Sequence, residues 1–447
     1  MSGAPHGAGP HRVRVHPARL TGTVEVPGDK SVSHRCLLIG ALVGTPVTVS
    51  GLAPSGDVLS MAAALRTLGA RVELAPGPDG RLAGVVSGPL REASDVLDCG
   101  NSGTAMRLLA GVVAGIDGLA VLTGDASLRS RPVGRVATPL LQMGATLVAA
   151  ANGTRPPLAV RGGSLHGITY AQPHASAQVK SCVLLAGLGA DGPTTVVSPL
   201  VSRDHTERML AHLGRGAVVA IDADGTERVT LTPGPLVAAP LHAPGDPSSA
   251  AFWHVAAAIS GDAITTPGIT TNPTRTGAMA VLALMGATVD RADEREHGSE
   301  VVADVRVTGG DLIGGLVLAG RTVVDALDEL PILALAGAMS RDGLEVTEAA
   351  ELRVKESDRV ATTVAALGAV GVEVEPRADG YRVVGGQRPR GGSVDAAGDH
   401  RIAMMAAIAA AVGDGPVEID GFGAVATSYP SFLDDMRALG GAVEVLD

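Results

Sequence analysis

The chain has 447 residues, more than one hydrophobic core usually supports, so we expect two domains or a long repeat array. Its net charge of -11 argues against nucleic acid or an anionic membrane as the main partner, because both are bound through an excess of Lys and Arg. Hydrophobic residues make up 46% of the chain but aromatic residues only 2%, which favours a repetitive α/β fold with a core of Ala, Val, Leu and Ile.

The N-terminal segment and the cysteines predict a soluble cytoplasmic protein. Residues 1–12, MSGAPHGAGPHR, lack the apolar stretch of a secretion signal and predict a disordered tail. The longest apolar run, Ile402 to Val412, has the length of a buried helix and is too short to span a membrane. Cys36, Cys99 and Cys182 show neither a CxxC spacing nor an even number, so a reducing compartment is the simpler interpretation.

One short pattern recurs six times along the chain. It is an amphipathic helix that ends in Leu/Met-Gly-Ala or a close variant, followed by a β-rich run. Each glycine suits the position just after a helix, where the backbone turns left-handed. The six glycines are Gly69, Gly144, Gly214, Gly286, Gly368 and Gly440.

A second type of helix recurs about once per unit, beginning at a polar segment and continuing as an Ala-rich run. Small residues on most faces predict that these helices are buried, and their polar starts predict exposed, capped N-termini. If the helices pack in parallel within a domain, their positive ends point to a common face that suits an anion. The six segments begin with PGDKSVSHR, DCGNSGTAMR, PHASAQVKS, PGDPSSAAF, DALDELPIL and AGDHRIAM.

These patterns divide the chain into six units and therefore into two domains of three. The Pro-rich stretch from Pro233 to Pro247 is the best internal boundary. We predict that domain I contains residues 13–27 and 241–447 and that domain II contains residues 28–240. The first strand, between Arg12 and Val26, is expected to pair with the C-terminal domain, which gives a double crossover.

In the N-terminal half, cations and hydroxyl groups lie at the predicted starts of buried helices. Lys30, Ser31 and Arg35 open the first of them, a composition typical of a phosphate or carboxylate site. Gly103 lets a ligand approach the backbone closely, and Arg131 precedes a proline in extended backbone, where it suits an anion clamp. Each motif taken alone is also compatible with an ordinary helix cap or a solvated charge pair.

Three charged motifs mark the C-terminal half. Asp325-Ala-Leu-Asp-Glu329 and Asp399-His-Arg401 precede buried helices, and Arg353-Val-Lys-Glu-Ser-Asp-Arg359 combines three cations and two carboxylates around a Val. Surface charge runs are common, but buried charges are costly unless a ligand or partner satisfies them. These motifs therefore point to a site that binds anions.

Eight motifs occur together and in order: PGDKSVSHR, GNSGTAMR, SLRSRP, SAQVKS, SRDHTER, DELP, RVKESDR and DHRIAM. This series resembles the 3-phosphoshikimate 1-carboxyvinyltransferase (EPSP synthase) family from about residue 20 to the C-terminus. The resemblance implies an α/β fold of two similar domains, each of three βαβαββ units in an inside-out α/β barrel, joined by a double crossover. It also implies a monomer with its active site in the interdomain cleft.

The family's reaction transfers the enolpyruvyl group of phosphoenolpyruvate to the 5-hydroxyl of shikimate 3-phosphate and releases phosphate, without a metal or organic cofactor. Carried over to this chain, Asp328 takes the hydroxyl proton, and Glu356 or Lys355 moves the proton at the methylene carbon. The residues implied to bind shikimate 3-phosphate are Lys30, Ser31, Arg35, Ser176, Ala177, Gln178, Arg203, Asp328 and Lys355. Those implied to bind phosphoenolpyruvate are Lys30, Asn101, Gly103, Arg131, Gln178, Arg359, Asp399 and Arg401.

Two positions depart from the family's pattern. Where the family often has Ala-Lys-Thr, with a Lys that touches phosphoenolpyruvate, this chain has Val425-Ala-Thr427, so we expect either a substitute cation or a different binding mode. Leu108 stands where a Pro is frequent, which is expected to alter the tilt of its helix. Gly103 is kept, so a pocket that admits glyphosate is sterically possible.

Two other functions remain open on the sequence alone. An enolpyruvyl transferase acting on UDP-N-acetylglucosamine has the same fold and uses a loop cysteine, but Cys99 lies at a helix start. A non-catalytic anion-binding relative is the second alternative, although Asp328, Glu356, Lys30 and Arg131 are all present.

Overall fold

The computed structural model describes residues 9–447. The first eight residues of the predicted tail lie outside the described residues. The strands are β1 (Arg12–His16), β2 (Gly22–Thr23), β3 (Val47–Leu52), β4 (Arg71–Pro76), β5 (Leu82–Ser87), β6 (Leu97–Asp98), β7 (Gly118–Thr123), β8 (Thr146–Ala149), β9 (Arg155–Gly162), β10 (Thr169–Ala171), β11 (Thr194–Ser198), β12 (Val218–Ile221), β13 (Glu227–Leu231), β14 (Leu241–His242), β15 (Ala263–Thr270), β16 (Thr288–His297), β17 (Glu300–Thr308), β18 (Leu316–Leu318), β19 (Leu344–Val346), β20 (Val374–Arg377), β21 (Gly380–Val383), β22 (Gly392–Asp395), β23 (Val417–Asp420) and β24 (Ala442–Val445).

The helices alternate with these strands. They are α1 (Lys30–Leu42), α2 (Gly56–Thr67), α3 (Gly103–Ala114), α4 (Ala126–Ser130), α5 (Gly134–Gln142), α6 (Ala150–Gly153), α7 (Ala177–Gly187), α8 (His205–His212), α9 (Pro247–Ser260), α10 (Gly277–Leu284), α11 (Gly320–Ala326), α12 (Leu330–Met339), α13 (Arg359–Ala369), α14 (His400–Val412) and α15 (Phe432–Ala438), with 3-10 turns at Ala350–Val354 and Phe422–Thr427.

Six four-stranded sheets share one topology, so the predicted sixfold repeat and its βαβαββ unit are confirmed. In the sheet β6-β7-β9-β8, the first two strands are parallel and enclose α3, and β9 pairs antiparallel with both β7 and β8. Three repeats are completed by distant strands. β1 pairs antiparallel with β23 and β24, as predicted for the first strand, β2 pairs with β15, and β14 pairs with β3.

The described chain forms two compact units, each with its own hydrophobic core. The first unit contains residues 9–27, Gly245–Arg295 and Val301–Asp447, and the second contains Gly28–Pro244 and Glu296–Glu300. Each unit holds three of the six sheets. No helix within residues 9–447 is long and apolar enough to cross a membrane.

The six predicted buried helices are α1, α3, α7, α9, α12 and α14, and all are mostly buried. Five of them have the predicted cap, in which the side chain of Asp29, Ser102, Ser176, Asp246 or Asp399 accepts a backbone N–H. The predicted exposure is wrong at four of these ends, because Asp29, Ser102, Asp246 and Asp399 are buried, whereas Ser176 is partly exposed. Their hydrogen bonds to the helix backbone compensate for the loss of water.

The left-handed helix ends are confirmed for five of the six repeat glycines, with φ between 76° at Gly214 and 107° at Gly286. The prediction is wrong for Gly368, which lies inside α13. Here the sequence continues as Ala-Val-Gly371, and Gly371 takes the left-handed conformation with φ of 82°. A second glycine three residues on allows the helix to extend by most of a turn.

Candidate active site

In the second unit, the N-terminal ends of three buried helices meet through side-chain hydrogen bonds. His34 in α1 contacts Ser102 at the start of α3, and Gln178 in α7 contacts Thr104 in α3. The backbone N–H groups at the three helix starts therefore lie in one region of this unit, an arrangement that favours an anion.

Lys30, the first residue of α1, pairs with Asp57 at the start of α2. The Nζ and Oδ2 atoms are 3.0 Å apart, and both side chains are largely buried. Ser31 follows in the same turn and is half-buried. The sequence analysis missed Asp57, although Ser55-Gly-Asp57 has the polar composition that marks the other helix starts.

His34 joins α1 to α3. Its Nδ1 lies 2.7 Å from the carbonyl oxygen of Lys30 and must donate, because a carbonyl only accepts. Nε2 is then the acceptor for the Ser102 hydroxyl at 2.8 Å. Burial lowers the pKa of His34 to about 4, which keeps the ring neutral and this pattern fixed.

A neutral His34 makes stability depend on pH. Because its folded pKa of about 4 lies below the ordinary value of 6.5, the unfolded chain binds more protons between these values. Lowering the pH from 6.5 towards 4 therefore favours unfolding by about 1.4 kcal/mol per pH unit. We expect His34→Gln to remove this share of the pH slope when urea unfolding is measured in this window. Equal slopes in both proteins would contradict a neutral His34.

Arg35 is buried at the junction of α1, α7 and α8. It donates to Thr206 Oγ1 at 2.7 Å, to Ser181 Oγ at 2.7 Å and to the Ser31 carbonyl at 2.9 Å. Burial, with Arg203 as one of the lesser causes, lowers its pKa to about 10. Arg35 thus fixes the three helices while it remains a cation at neutral pH.

Arg131 lies beside the start of α3. Its Nη2 donates to Asn101 Oδ1 at 2.6 Å and to Ser127 Oγ at 3.1 Å, and Asn101 donates in turn to Asp125 at 2.7 Å. A methyl group added to Gly103 would lie 3.3 Å from Arg131 Nη1. Gly103 is therefore the position where a guanidinium group approaches the helix backbone.

Gln178 is oriented by two partners on α3. Its Oε1 accepts from Arg107 Nη1 at 2.5 Å, and its Nε2 donates to Thr104 Oγ1 at 3.0 Å. Ser176 caps this helix and Ala177 is its first residue. The contact between Arg107 and Gln178 was not predicted, although Arg107 belongs to the GNSGTAMR motif.

In the first unit, one buried arginine gathers three predicted carboxylates. Arg359 contacts Glu356 Oε2 at 2.7 Å, Asp399 Oδ2 at 2.8 Å and Asp328 Oδ1 at 3.2 Å. Lys355 Nζ lies 3.5 Å from Asp328 Oδ1. The structure therefore brings these five predicted residues into one cluster.

Electrostatics keeps the centre of this cluster ionised. Burial alone would raise the pKa of Asp399, but Arg359 outweighs burial and holds that pKa below its usual value. Burial likewise opposes the charge on Arg359, but Asp399, Glu356 and Asp328 raise the pKa of its guanidinium group. Asp399 Oδ1 also accepts the backbone N–H of Arg401, so it caps α14 and orients Arg359 at once.

Arg401 completes the predicted set in this unit. Its guanidinium nitrogens lie 3.9 Å from Asp328 and 3.7 Å from Glu329. Glu329 also contacts Ser248 at the start of α9, and Ser248 accepts from Arg275 at 3.1 Å. The sequence analysis missed Ser248 and Arg275; the PGDPSS start of α9 is a sequence signal for Ser248 only.

The two departures from the family's pattern have ordinary structural roles. Thr427 ends the 3-10 turn Phe422–Thr427, and its hydroxyl donates to the Ala424 carbonyl at 2.7 Å. Leu108 is fully buried in α3. Within residues 9–447, no group of three or more His, Cys, Asp or Glu residues could hold a metal ion.

Cys99 does not have the surroundings of a reactive cysteine. It is fully buried, and burial raises the pKa of its thiol far above the ordinary value. Its Sγ lies 3.8 Å from the Leu97 carbonyl as a weak donor. A buried thiol that stays protonated is a poor nucleophile, which disfavours the transferase that uses a loop cysteine.

Comparisons with known proteins agree with the motif series. A family model described as EPSP synthase (3-phosphoshikimate 1-carboxyvinyltransferase) matches residues 15–436. A 3-phosphoshikimate 1-carboxyvinyltransferase of Roseiflexus castenholzii is 48% identical over 432 residues, which cover 95% of this chain and 98% of the relative. The enzyme of that name from Herpetosiphon aurantiacus is 49% identical over 421 residues, which cover 93% and 96%. An EPSP synthase structure from Acinetobacter baumannii has a TM-score of 0.83 at 38% identity and covers 98% of this chain and 100% of its own. The chain therefore belongs to the EPSP synthase family.

Proposed function

We propose that this chain transfers the enolpyruvyl group of phosphoenolpyruvate to the 5-hydroxyl of shikimate 3-phosphate and releases phosphate. The observation that carries the proposal is the cluster around Arg359, in which Asp328 and Glu356 lie beside Lys355 and Arg401. The family's reaction needs a base, an acid and several anion-binding groups, and this cluster contains all three. Family membership supports the choice of substrates.

In the proposed reaction, C3 of phosphoenolpyruvate is protonated by the protonated form of Glu356 or, as the alternative acid, by the ammonium group of Lys355, and C2 becomes electron-poor. Asp328 takes the proton from the 5-hydroxyl group while the oxygen of that hydroxyl bonds to C2, which gives a tetrahedral intermediate. The group that protonated C3 then takes a proton back from C3 as the C2–O bond to phosphate breaks, which restores the double bond. The proton taken by Asp328 leaves with the phosphate, so protons and charge balance.

The anionic groups of both substrates require fixed donors. We propose that Arg131, Arg359 and Arg401 hold phosphoenolpyruvate with the N–H groups of the α3 start, and that Lys30 contacts both substrates. The residues proposed to hold shikimate 3-phosphate are Ser31, Arg35, Ser176, Ala177, Gln178 and Arg203. The location we propose is the cytoplasm, which suits the three free, buried cysteines.

Phosphate release tests the proposal. The purified protein should release phosphate when phosphoenolpyruvate and shikimate 3-phosphate are both present, and not with either alone. Replacing shikimate 3-phosphate by UDP-N-acetylglucosamine should abolish release. Binding of both substrates without release would mean that the chain is a non-catalytic relative.

Gly103→Ala should weaken phosphoenolpyruvate binding. The added methyl group would lie 2.9 Å from Arg107 Nη1 and 3.3 Å from Arg131 Nη1, so both guanidinium ends must shift. We expect KM for phosphoenolpyruvate to rise about tenfold, equivalent to ~1.4 kcal/mol, in initial-rate measurements. Gly189→Ala is the matched control, because nothing lies within 4 Å of the added methyl group. An unchanged KM in Gly103→Ala would exclude Arg131 as a close ligand.

Cys99→Ser should leave turnover nearly unchanged. The thiol is buried and protonated, and we assign it no role in proton transfer. We expect turnover within about threefold of the wild type and a free energy of unfolding that is lower by ~1 kcal/mol. Complete loss of turnover in a variant that still binds both substrates would favour a cysteine-dependent transferase.

A further inference from the structure

Lys180, in the first turn of α7, is a fully buried cation of the second unit. Its ammonium group contacts two carboxylates that are themselves buried, Glu207 Oε1 at 2.7 Å and Glu227 Oε2 at 2.9 Å. Burial opposes the charge on Lys180, but the two carboxylates outweigh burial and raise the pKa of the ammonium group. Because desolvation offsets much of the attraction in a buried ion pair, stability alone does not account for this cation.

The third contact of Lys180 is with the backbone. Its Nζ donates to the Ser202 carbonyl at 3.2 Å. Ser202 lies in residues 199–204, which connect β11 to α8 without helix or strand, so the carbonyl groups of this segment need donors from elsewhere. Glu207 lies in the first turn of α8, and Glu227 begins β13. Lys180 therefore ties the segment and the start of α8 to both α7 and β13.

Arg203 is the residue whose position this segment determines. It is half-buried, and although burial is the main cause of the low pKa of Arg35, Arg203 is close enough to lower that pKa further. Two guanidinium groups at short range suit a ligand with several negative charges. Arg35 is fixed separately, because Ser181 Oγ accepts from its Nη2 and from Thr206 Oγ1, both at 2.7 Å.

We propose that Lys180 is a positioning residue for shikimate 3-phosphate. Its hydrogen bond to the Ser202 carbonyl fixes the peptide that carries Arg203, so that Arg203 and Arg35 face the phosphate group together. This inference rests on the proposed function, which assigns both arginines to that substrate. Because Lys180 is fully buried, it acts through Arg203 and not by contact with the substrate. Its loss should therefore weaken substrate binding and spare the chemical step.

Lys180→Met keeps the length of the side chain and removes its donors and charge. We expect the dissociation constant for shikimate 3-phosphate, measured by isothermal titration calorimetry, to rise about tenfold, equivalent to ~1.4 kcal/mol. In initial-rate measurements, KM for shikimate 3-phosphate should rise with it, whereas kcat and KM for phosphoenolpyruvate should stay within about twofold of the wild type. An unchanged dissociation constant would overturn the proposal.

A charge-conserving variant separates positioning from stability. Lys180→Met leaves Glu207 and Glu227 buried without their cation and should lower the midpoint of urea unfolding. Lys180→Met/Glu227→Gln removes one charge of each sign, and Glu207 still has Arg35 nearby, so the midpoint should return towards that of the wild type. Affinity should stay weak, because the Ser202 carbonyl still lacks its donor. Recovery of both would overturn the proposal, since Lys180 would then only stabilise the fold.

Glu227→Gln is the matched control, because it changes the ion pair but keeps Lys180 and its bond to Ser202. Its dissociation constant for shikimate 3-phosphate should stay within about twofold of the wild type. A double-mutant cycle shows whether Lys180 acts through Arg203. In an Arg203→Met background, Lys180→Met should change that constant by less than about twofold, and a full additional tenfold loss would overturn the proposal.

Failure of this inference can be distinguished from failure of the proposed function. A wild type that binds shikimate 3-phosphate but releases no phosphate would refute the proposed function, while the dissociation constants of the variants would still support or overturn the role of Lys180. A wild type that does not bind shikimate 3-phosphate would overturn both.

Discussion

Asp328→Asn is expected to lower kcat by about a thousandfold, within the range found when a general base is removed. The amide has the size of the carboxylate but cannot accept the proton of the 5-hydroxyl. Affinity for shikimate 3-phosphate should change much less, because the neighbouring cations remain in place. The expected result is therefore a large loss in single-turnover rate with a dissociation constant within about fivefold of the wild type.

The matched variant for this measurement is Asp325→Asn. Asp325 lies on the preceding helix α11 and pairs with the half-exposed Arg321 at 2.6 Å. It should keep nearly full turnover. Equal losses of rate and of shikimate 3-phosphate affinity in Asp328→Asn would refute its assignment as the base, because binding alone would then explain the defect.

Arg359→Met is expected to destabilise the protein by about 3–5 kcal/mol, the usual result of removing one partner of a buried ion pair. Arg359 is fully buried and neutralises Asp328, Glu356 and Asp399, of which Asp399 is itself fully buried. Without the guanidinium group, those carboxylates repel one another in an environment that water reaches poorly. Arg359→Lys should retain part of the stability, because one ammonium group cannot contact all three carboxylates.

Urea unfolding measures this effect, with Arg341→Met as the control. Arg341 pairs with Asp342, but its side chain is 70% exposed, so its removal should change the free energy of unfolding by less than about 1 kcal/mol. If Arg359→Met also lowered the free energy of unfolding by less than about 1 kcal/mol, Arg359 would not be the residue that holds the cluster together. Turnover should fall in Arg359→Met even at temperatures where the variant is fully folded.

The fold could be predicted from sequence because the evidence for it is local and repeated six times. A helix stop at Gly69 or Gly144 and a cap at Asp29 or Ser102 depend on neighbouring residues only. The error at Gly368 has the same origin, because the competing Gly371 lies three residues away and the pattern does not choose between them.

The composition of the site could be predicted, but several of its internal partners could not. Lys30, Arg359 and Asp399 belong to motifs, whereas the contact of Lys30 with Asp57 joins two helices of one repeat and that of Arg107 with Gln178 joins two repeats. Such contacts depend on how helices pack, which local patterns do not specify. The burial of helix caps was missed for the same reason, because polar composition alone predicts exposure.

The central claim is tested most directly by following the transferred group. The protein is incubated with shikimate 3-phosphate and phosphoenolpyruvate labelled with ¹³C at C3, and the products are identified by NMR. We predict that the label appears in a vinyl methylene group attached through oxygen to C5 of shikimate 3-phosphate, with one phosphate released per molecule formed. Label that remains in phosphoenolpyruvate or appears in pyruvate would contradict the proposed function.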